Sequence, residues 1–293
     1  MLKRLALLLC LWPLAQPAWA WGPLGHKLVA RLAQQRLKPA TLRAIDALRA
    51  EASAQGMRVH ETDRAYRFID QDLGRFFTGQ RLDLGLVASW ADGWRSRDRR
   101  TEGWHFVDLD VGRELDARAV REACGQDDCV VAQVGLQQAV LADRGRPAQE
   151  RIKALLLLIH LVADLHQPLH CATRQDHGGN RLQVLFFGRP QSLHQVWDHG
   201  VLERQRLGAA KLLRQLDGVR EGDAYHWRSG RPLDWALESA ALAREVAYGG
   251  LPAGPEPLRL ERGYQARALP VVKLQLQKAG VRLAALLDES MGQ

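Results

Sequence analysis

Residues 152–170 read IKALLLLIHLVADLHQPLH. The apolar positions from Ile152 to Leu165 follow a helical pattern, which stacks His160 and Asp164, four residues apart, on one face. That spacing suits two ligands of one metal ion. Pro168 disfavours helical backbone at the residue before it, so the helix should end there and let His170 turn towards the same space. Residues 193–200, LHQVWDHG, repeat the spacing with His194 and Asp198. Upstream, Asp92 in Ser89-Trp90-Ala91-Asp92 and His105 in Trp104-His105-Phe106 add a carboxylate and an imidazole, and His26 lies five residues after Trp21.

A lone histidine on a helix is more often a surface or satisfied core residue than a ligand. Two His-x-x-x-Asp pairs, with more His and Asp beside tryptophans, point instead to a multinuclear metal site. Imidazole and carboxylate without thiolate suit zinc, with manganese as the alternative. His60, His166, His177, His199 and His226 fit no comparable pair and default to surface, supporting or structural roles.

Outward from this stretch the pattern stays helical. His26 to Ala50 carries apolar residues at spacings of three and four, broken into two helices by Lys38-Pro39-Ala40-Thr41. Val130–Ala142, Trp235–Val246 and Val271–Leu287 read the same way, and only Arg181–Phe187 alternates like a strand, as one arm of a short hairpin. Ala52–Gln80, Asp108–Asp128, Cys171–Leu193 and Gly249–Arg262 read as irregular. The expected fold is mainly α, a single helical domain over residues 21–293 with at most a small β hairpin. The 293 residues, 46% apolar and 25% charged, exclude a disordered or fibrous chain. A net charge of +8 favours polyanionic partners without naming one.

Residues 1–20 read as a cleaved export signal: Lys3 and Arg4, an apolar run from Leu5 to Leu14, and Ala18-Trp19-Ala20 as the processing site. The run is too short for a membrane anchor, which needs about 20 apolar residues. Cleavage after Ala20 would remove two cations and Cys10, leaving Cys124, Cys129 and Cys171. Export favours a Cys124–Cys129 disulfide over two free thiols and leaves Cys171 without a partner.

These segments together resemble the zinc-dependent single-strand-specific nucleases of the S1/P1 type. The resemblance runs through Trp21-Gly22-Pro23-Leu24-Gly25-His26, SWADGWR (89–95), WHFVDLD (104–110), HLVADLHQPLHCATRQDHGGN (160–180) and LHQVWDHG (193–200), then WALESA (235–240) and the C-terminal helix. It implies three zinc ions at the bottom of a cleft. Asp92, His105, His160 and Asp164 would hold the first, and His170, His194 and Asp198 the second. The amine and carbonyl of Trp21, His26 and a shared Asp164 would hold the third, and that amine exists only after cleavage at Ala20.

Arg95 resembles the family's phosphate-binding arginine, catalytic alongside Asp92 and Asp164. Phe106 and Asp108 resemble its base-holding pair, with a core Phe and a loop-capping Asp as the alternative, and Asn180 in Gly178-Gly179-Asn180 reads either as a further substrate contact or as part of a turn. The implied activity is endonucleolytic hydrolysis of RNA and single-stranded DNA to 5′-mononucleotides, with 3′-nucleotidase activity, by a monomer without stable membrane association. The chain has no Asn-x-Ser or Asn-x-Thr, unlike the glycosylated eukaryotic members, which points to a bacterial exported enzyme. Only one disulfide is available to it, and Cys171 is either free or joins two chains. A zinc phospholipase C and a non-catalytic zinc- or polyanion-binding protein are the competing readings.

Overall fold

The computed structural model describes residues 21–57 and 67–292; the proposed export signal and His60 lie outside them. Seven helices come first: α1 Gly22–Gln34, α2 Pro39–Ala54, α3 Arg67–Thr78, α4 Trp90–Arg97, α5 Ala117–Cys124, α6 Val130–Ala142 and α7 Ala148–Leu165. A β hairpin follows, β1 Gln183–Phe186 and β2 Arg189–Ser192, closed by Phe187 and Gly188 at positive φ in a two-residue turn whose twist matches that of the strands. Next come α8 Leu193–Gln195, a π-helical turn Val196–Gly200 and α9 Val201–Glu203. Then α10 Ala209–Leu216, α11 Glu221–Trp227, α12 Pro232–Leu242 with a π-helical extension Ala243–Tyr248, the short β3 Leu258–Leu260, and α13 Arg262–Met291 complete the fold.

The centre is α7. Every residue from Ala154 to Leu165 is buried, so the helix is enclosed on all sides, with α6, α2, α13, α1 and α4 packed around it. His160 and Asp164 sit in this apolar rod at 0% exposure. Burying such groups is costly unless a partner compensates. The helix stops at Leu165, and Gln167 caps a 3₁₀ turn, Pro168–His170, by accepting the Leu169 N–H at 2.7 Å. Proline thus turns the chain as its sequence position predicts, and His170 swings back beside Asp164.

Several expectations are corrected. Ala52–Gln80 is not irregular throughout: α3 buries Ile69, Leu73 and Phe76 on one face, a pattern masked by the polar residues between them. Asp108–Asp128 contains α5, whose Asp116 cap accepts the Ala119 N–H; two turns are too few for periodicity to register. In Gly249–Arg262, β3 pairs parallel with β1 and widens the hairpin to three strands. The last helix starts at Arg262 rather than Val271 and runs through Pro270, because Tyr264 and Ala268 bury their side chains and outweigh the local cost of proline. Cys124 and Cys129 are joined in a disulfide, while Cys171 is free and fully buried, which excludes a bridge to a second chain. No helix among the described residues is long and apolar enough to cross a membrane.

Candidate metal centre

Four imidazoles from four different segments converge on Asp164. One carboxylate oxygen, Oδ2, lies 2.9 Å from His105 Nδ1 and 3.1 Å from His160 Nε2; the other, Oδ1, lies 3.4 Å from His26 Nε2 and 3.7 Å from His170 Nδ1. Asp92, from the first turn of α4, approaches His160 Nε2 at 3.7 Å, and the His26 and His160 rings stack at 3.9 Å. On the far side of His170, His194 Nε2 is 3.2 Å from Asp198 Oδ2, and His170 Nε2 is 3.7 Å from Asp198 Oδ1. His194 and Asp198 keep their contact although the chain widens into a π-helical turn between them. Among the described residues, three groups with ligand atoms within 4.8 Å of one another result: His26, His160 and Asp164; Asp92, His105 and His160; His170, His194 and Asp198.

The donor atoms fit metal ions. Both ring nitrogens of His26, both oxygens of Asp92, Asp164 Oδ1, His170 Nε2 and Asp198 Oδ2 are buried without a hydrogen-bond partner. Orphaned buried polar atoms in this number are rare, and cations would satisfy them together. Backbone carbonyls set the tautomers: Nδ1 of His160, His170 and His194 donates to Ala88 O (2.8 Å), His105 O (2.9 Å) and Gly178 O (2.7 Å), leaving each Nε2 for a ligand.

Burial pushes His26 and His194 below the ordinary imidazole range, and His105 down to about 4. Burial also opposes charge on His160, but the carboxylates of Asp164 and Asp92 outweigh it and raise that ring to about 9. Asp164 is held well below the usual carboxylate range, because the imidazoles outweigh its desolvation. Burial opposes charge on His170 as well, but the carboxylates of Asp198 and Asp164 outweigh it and raise that ring. His26, His105, His194 and Asp164 are thus biased towards the deprotonated form that coordination requires, while His160 and His170 hold their protons against the neighbouring carboxylates. Cys171 stays outside it: burial raises its thiol, which donates to Leu165 O.

The S1/P1 Nuclease family profile matches residues 21–292. The chain belongs to the S1/P1 nuclease family. Nuclease P1 of Penicillium citrinum is 25% identical over 93% of this chain and 98% of its own length. Nuclease S1 of Aspergillus oryzae is 25% identical over 94% and 93%, and Endonuclease 2 of Arabidopsis thaliana 26% identical over 93% and 91%.

Within this S1/P1 nuclease, Trp21 and Arg95 adjoin the cluster. Trp21 is fully buried, and its Nε1 donates to Ala163 O at 2.8 Å, one residue before Asp164. A Cβ on Gly25 would meet the Trp21 Cβ at 2.7 Å, so only glycine lets the first turn of α1 close over that indole. Arg95 Nη2 lies 3.4 Å from Asp92 Oδ1. Phe106 is half-buried and Asp108 exposed, just past His105. Asn180, half-buried, lines a cleft of about 950 Å³ beside the hairpin that Arg189, Phe187 and Arg204 also line. None of the nine predicted ligands lines it. Of the default histidines, His166 is buried, its Nδ1 donating to Val162 O and its Nε2 accepting from Arg282, whereas His177 and His226 are exposed.

Sequence reading missed the supporting groups. Gly178 looks like a turn residue, yet its carbonyl holds the His194 ring. Its φ is +60°, and a Cβ there would sit 2.4 Å from Leu169 O. Gly178→Ala is expected to cost about 1–3 kcal/mol of stability and to lower metal occupancy at His170, His194 and Asp198. Thermal melting with elemental analysis checks this; unchanged values for both would show that the backbone there tolerates a side chain.

Proposed function

We propose that this chain is a zinc-dependent endonuclease that hydrolyses RNA and single-stranded DNA to 5′-mononucleotides, has 3′-nucleotidase activity, and is exported with removal of residues 1–20. The observation that carries this reading is the Asp164 carboxylate, fully buried yet ringed by His26, His105, His160 and His170. Bound cations would compensate such a charge, with Asp164 and the surrounding imidazoles as the residues that would hold them.

Asp92, His105, His160 and Asp164 would hold one ion, His170, His194 and Asp198 a second, and Trp21, His26 and the shared Asp164 a third. Zinc, when bound, supplies Lewis acidity towards phosphoryl oxygens and makes water acidic near neutral pH. Arg95, braced by Asp92, offsets negative charge gathering on the phosphoryl oxygens. Phe106 offers a face on which a base can stack, while Asp108 accepts hydrogen bonds from the base edge and Asn180 adds a polar contact. A base must leave its helix to reach Phe106. Duplex substrate therefore pays an unstacking and unpairing cost of a few kcal/mol per base that a flexible single strand avoids.

The test is elemental analysis of the purified protein alongside hydrolysis of RNA, single-stranded DNA and phosphatidylcholine, each with and without a chelator. Chelator-sensitive release of 5′-mononucleotides is expected; diacylglycerol release without nucleotide release, or a metal-free active protein, overturns the reading. Phe106→Ala is expected to raise KM roughly 5- to 150-fold, the equivalent of about 1–3 kcal/mol of stacking, with zinc content unchanged. His105→Ala should lower both activity and zinc content. An unaltered KM in Phe106→Ala would remove the stacking role.

A further inference from the structure

Gln167 is fully buried at the corner between α7 and the 3₁₀ turn, and both ends of its amide are used. Its Oε1 accepts the Leu169 N–H at 2.7 Å, fixing the turn that aims His170. Its Nε2 donates to Asp198 Oδ1 at 2.6 Å, across 31 residues of sequence. One side chain thus ties together two ligand-bearing segments of the same cluster. It also divides the Asp198 carboxylate: Oδ1 is engaged by the amide, whereas Oδ2 has no hydrogen-bond partner and lies 3.2 Å from His194 Nε2.

The amide cannot easily follow a displaced Asp198. Gln275 Nε2 donates to His166 O (3.2 Å) and Ser239 Oγ (3.0 Å), and Ser239 Oγ donates to Leu165 O (2.7 Å). These bonds fasten the backbone just before Gln167 to α12 and α13. Chemistry restricts the residue as well. A glutamate would press a second carboxylate against Asp198, and an apolar side chain would leave Asp198 Oδ1 buried and unpaired.

We propose that Gln167 is a positioning residue which presets Asp198 to offer a single oxygen, and His170 its Nε2, to one cation. It thereby controls the affinity of that one site of the three. The inference rests on the reading that His170, His194 and Asp198 hold an ion. That cluster is also less enclosed than its neighbours: His194 is 6% exposed, against 0% for His26, His160 and Asp164.

The experiment is zinc titration against a competing chelator for the full processed enzyme, Gln167→Met and Gln167→Glu, with bound zinc counted by elemental analysis. Gln167→Met should lose one ion at chelator concentrations 10- to 100-fold below those that strip it from wild type, while two ions remain. Excess zinc should restore kcat, with KM unchanged. Gln167→Glu keeps the acceptor for Leu169 N–H and replaces the donor to Asp198 with a second carboxylate; it should show the same selective loss, and decides the matter if Gln167→Met does not fold. Wild-type chelator resistance in Gln167→Glu, or loss of all three ions together, overturns the inference. If wild-type protein itself binds no zinc through His194 and Asp198, as judged by unchanged zinc content in His194→Ala, the proposed function fails and takes this inference with it.

Discussion

Asp164→Asn is expected to lower hydrolysis of RNA roughly 10³-fold or more and to lower zinc content. Among the described residues, Asp164 is the one carboxylate within 4 Å of His26, His105, His160 and His170 together. Each of its oxygens faces a different pair of rings. An amide keeps the shape of the side chain but loses the charge, and one of its two ends becomes a donor aimed at ring nitrogens that must themselves stay free for metal. Bound metal would supply several kcal/mol of charge stabilisation, and each 1.36 kcal/mol is tenfold in rate, so losing the carboxylate that would hold it has a large effect. Elemental analysis and steady-state kinetics of the purified variant check the result. Turnover near wild type with full zinc content would show that no ions share Asp164.

The second large effect concerns the N-terminus. A protein made in the cytoplasm with a methionine retained before Trp21 is expected to bind one ion fewer and to be at least about 10²-fold less active than protein beginning at Trp21. Trp21 is anchored by its indole to Ala163, beside Asp164, and its carbonyl accepts the Gly25 N–H at 3.1 Å, keeping a second lone pair for a ligand. Its nitrogen can coordinate as an amine only once the peptide bond to Ala20 is cut. A fusion cleaved to leave Trp21 first is the reference, because it separates the effect of the extra residue from that of the expression host. Equal zinc content and equal rates in the two proteins would exclude ligation by the terminal amine.

Much of the site was legible in the sequence, for a local reason. Helical geometry relates residues four apart, so His160 with Asp164 and His194 with Asp198 could be paired before any tertiary contact was known. Pro168 marked where the chain turns, and Cys124 with Cys129 were near enough in sequence to close a loop. The assortment of the remaining candidate ligands into proposed sets came from the order of motifs shared with a nuclease family, because no local rule links His26 or Asp92 to residues on α7. Where local signals were weak the reading failed: α3 hid its buried stripe among charges, α5 was too short to show a period, and proline at 270 concealed the first turns of α13.

The sequence alone therefore determined the kinds of candidate ligand, their helical pairs and the mainly helical class, because these depend on side-chain chemistry and on the repeat of the backbone. Only the tertiary structure decided which rings face which carboxylate oxygen. His105 meets Asp164 across 59 residues and Gln167 meets Asp198 across 31, and such contacts are fixed by how α1, α4 and α7 pack and by where the following loops return. The carbonyls of Ala88, His105 and Gly178 are invisible in sequence for the same reason. Every residue carries a carbonyl, and only the packed fold selects the three that engage an imidazole's Nδ1 and leave its Nε2 for a ligand.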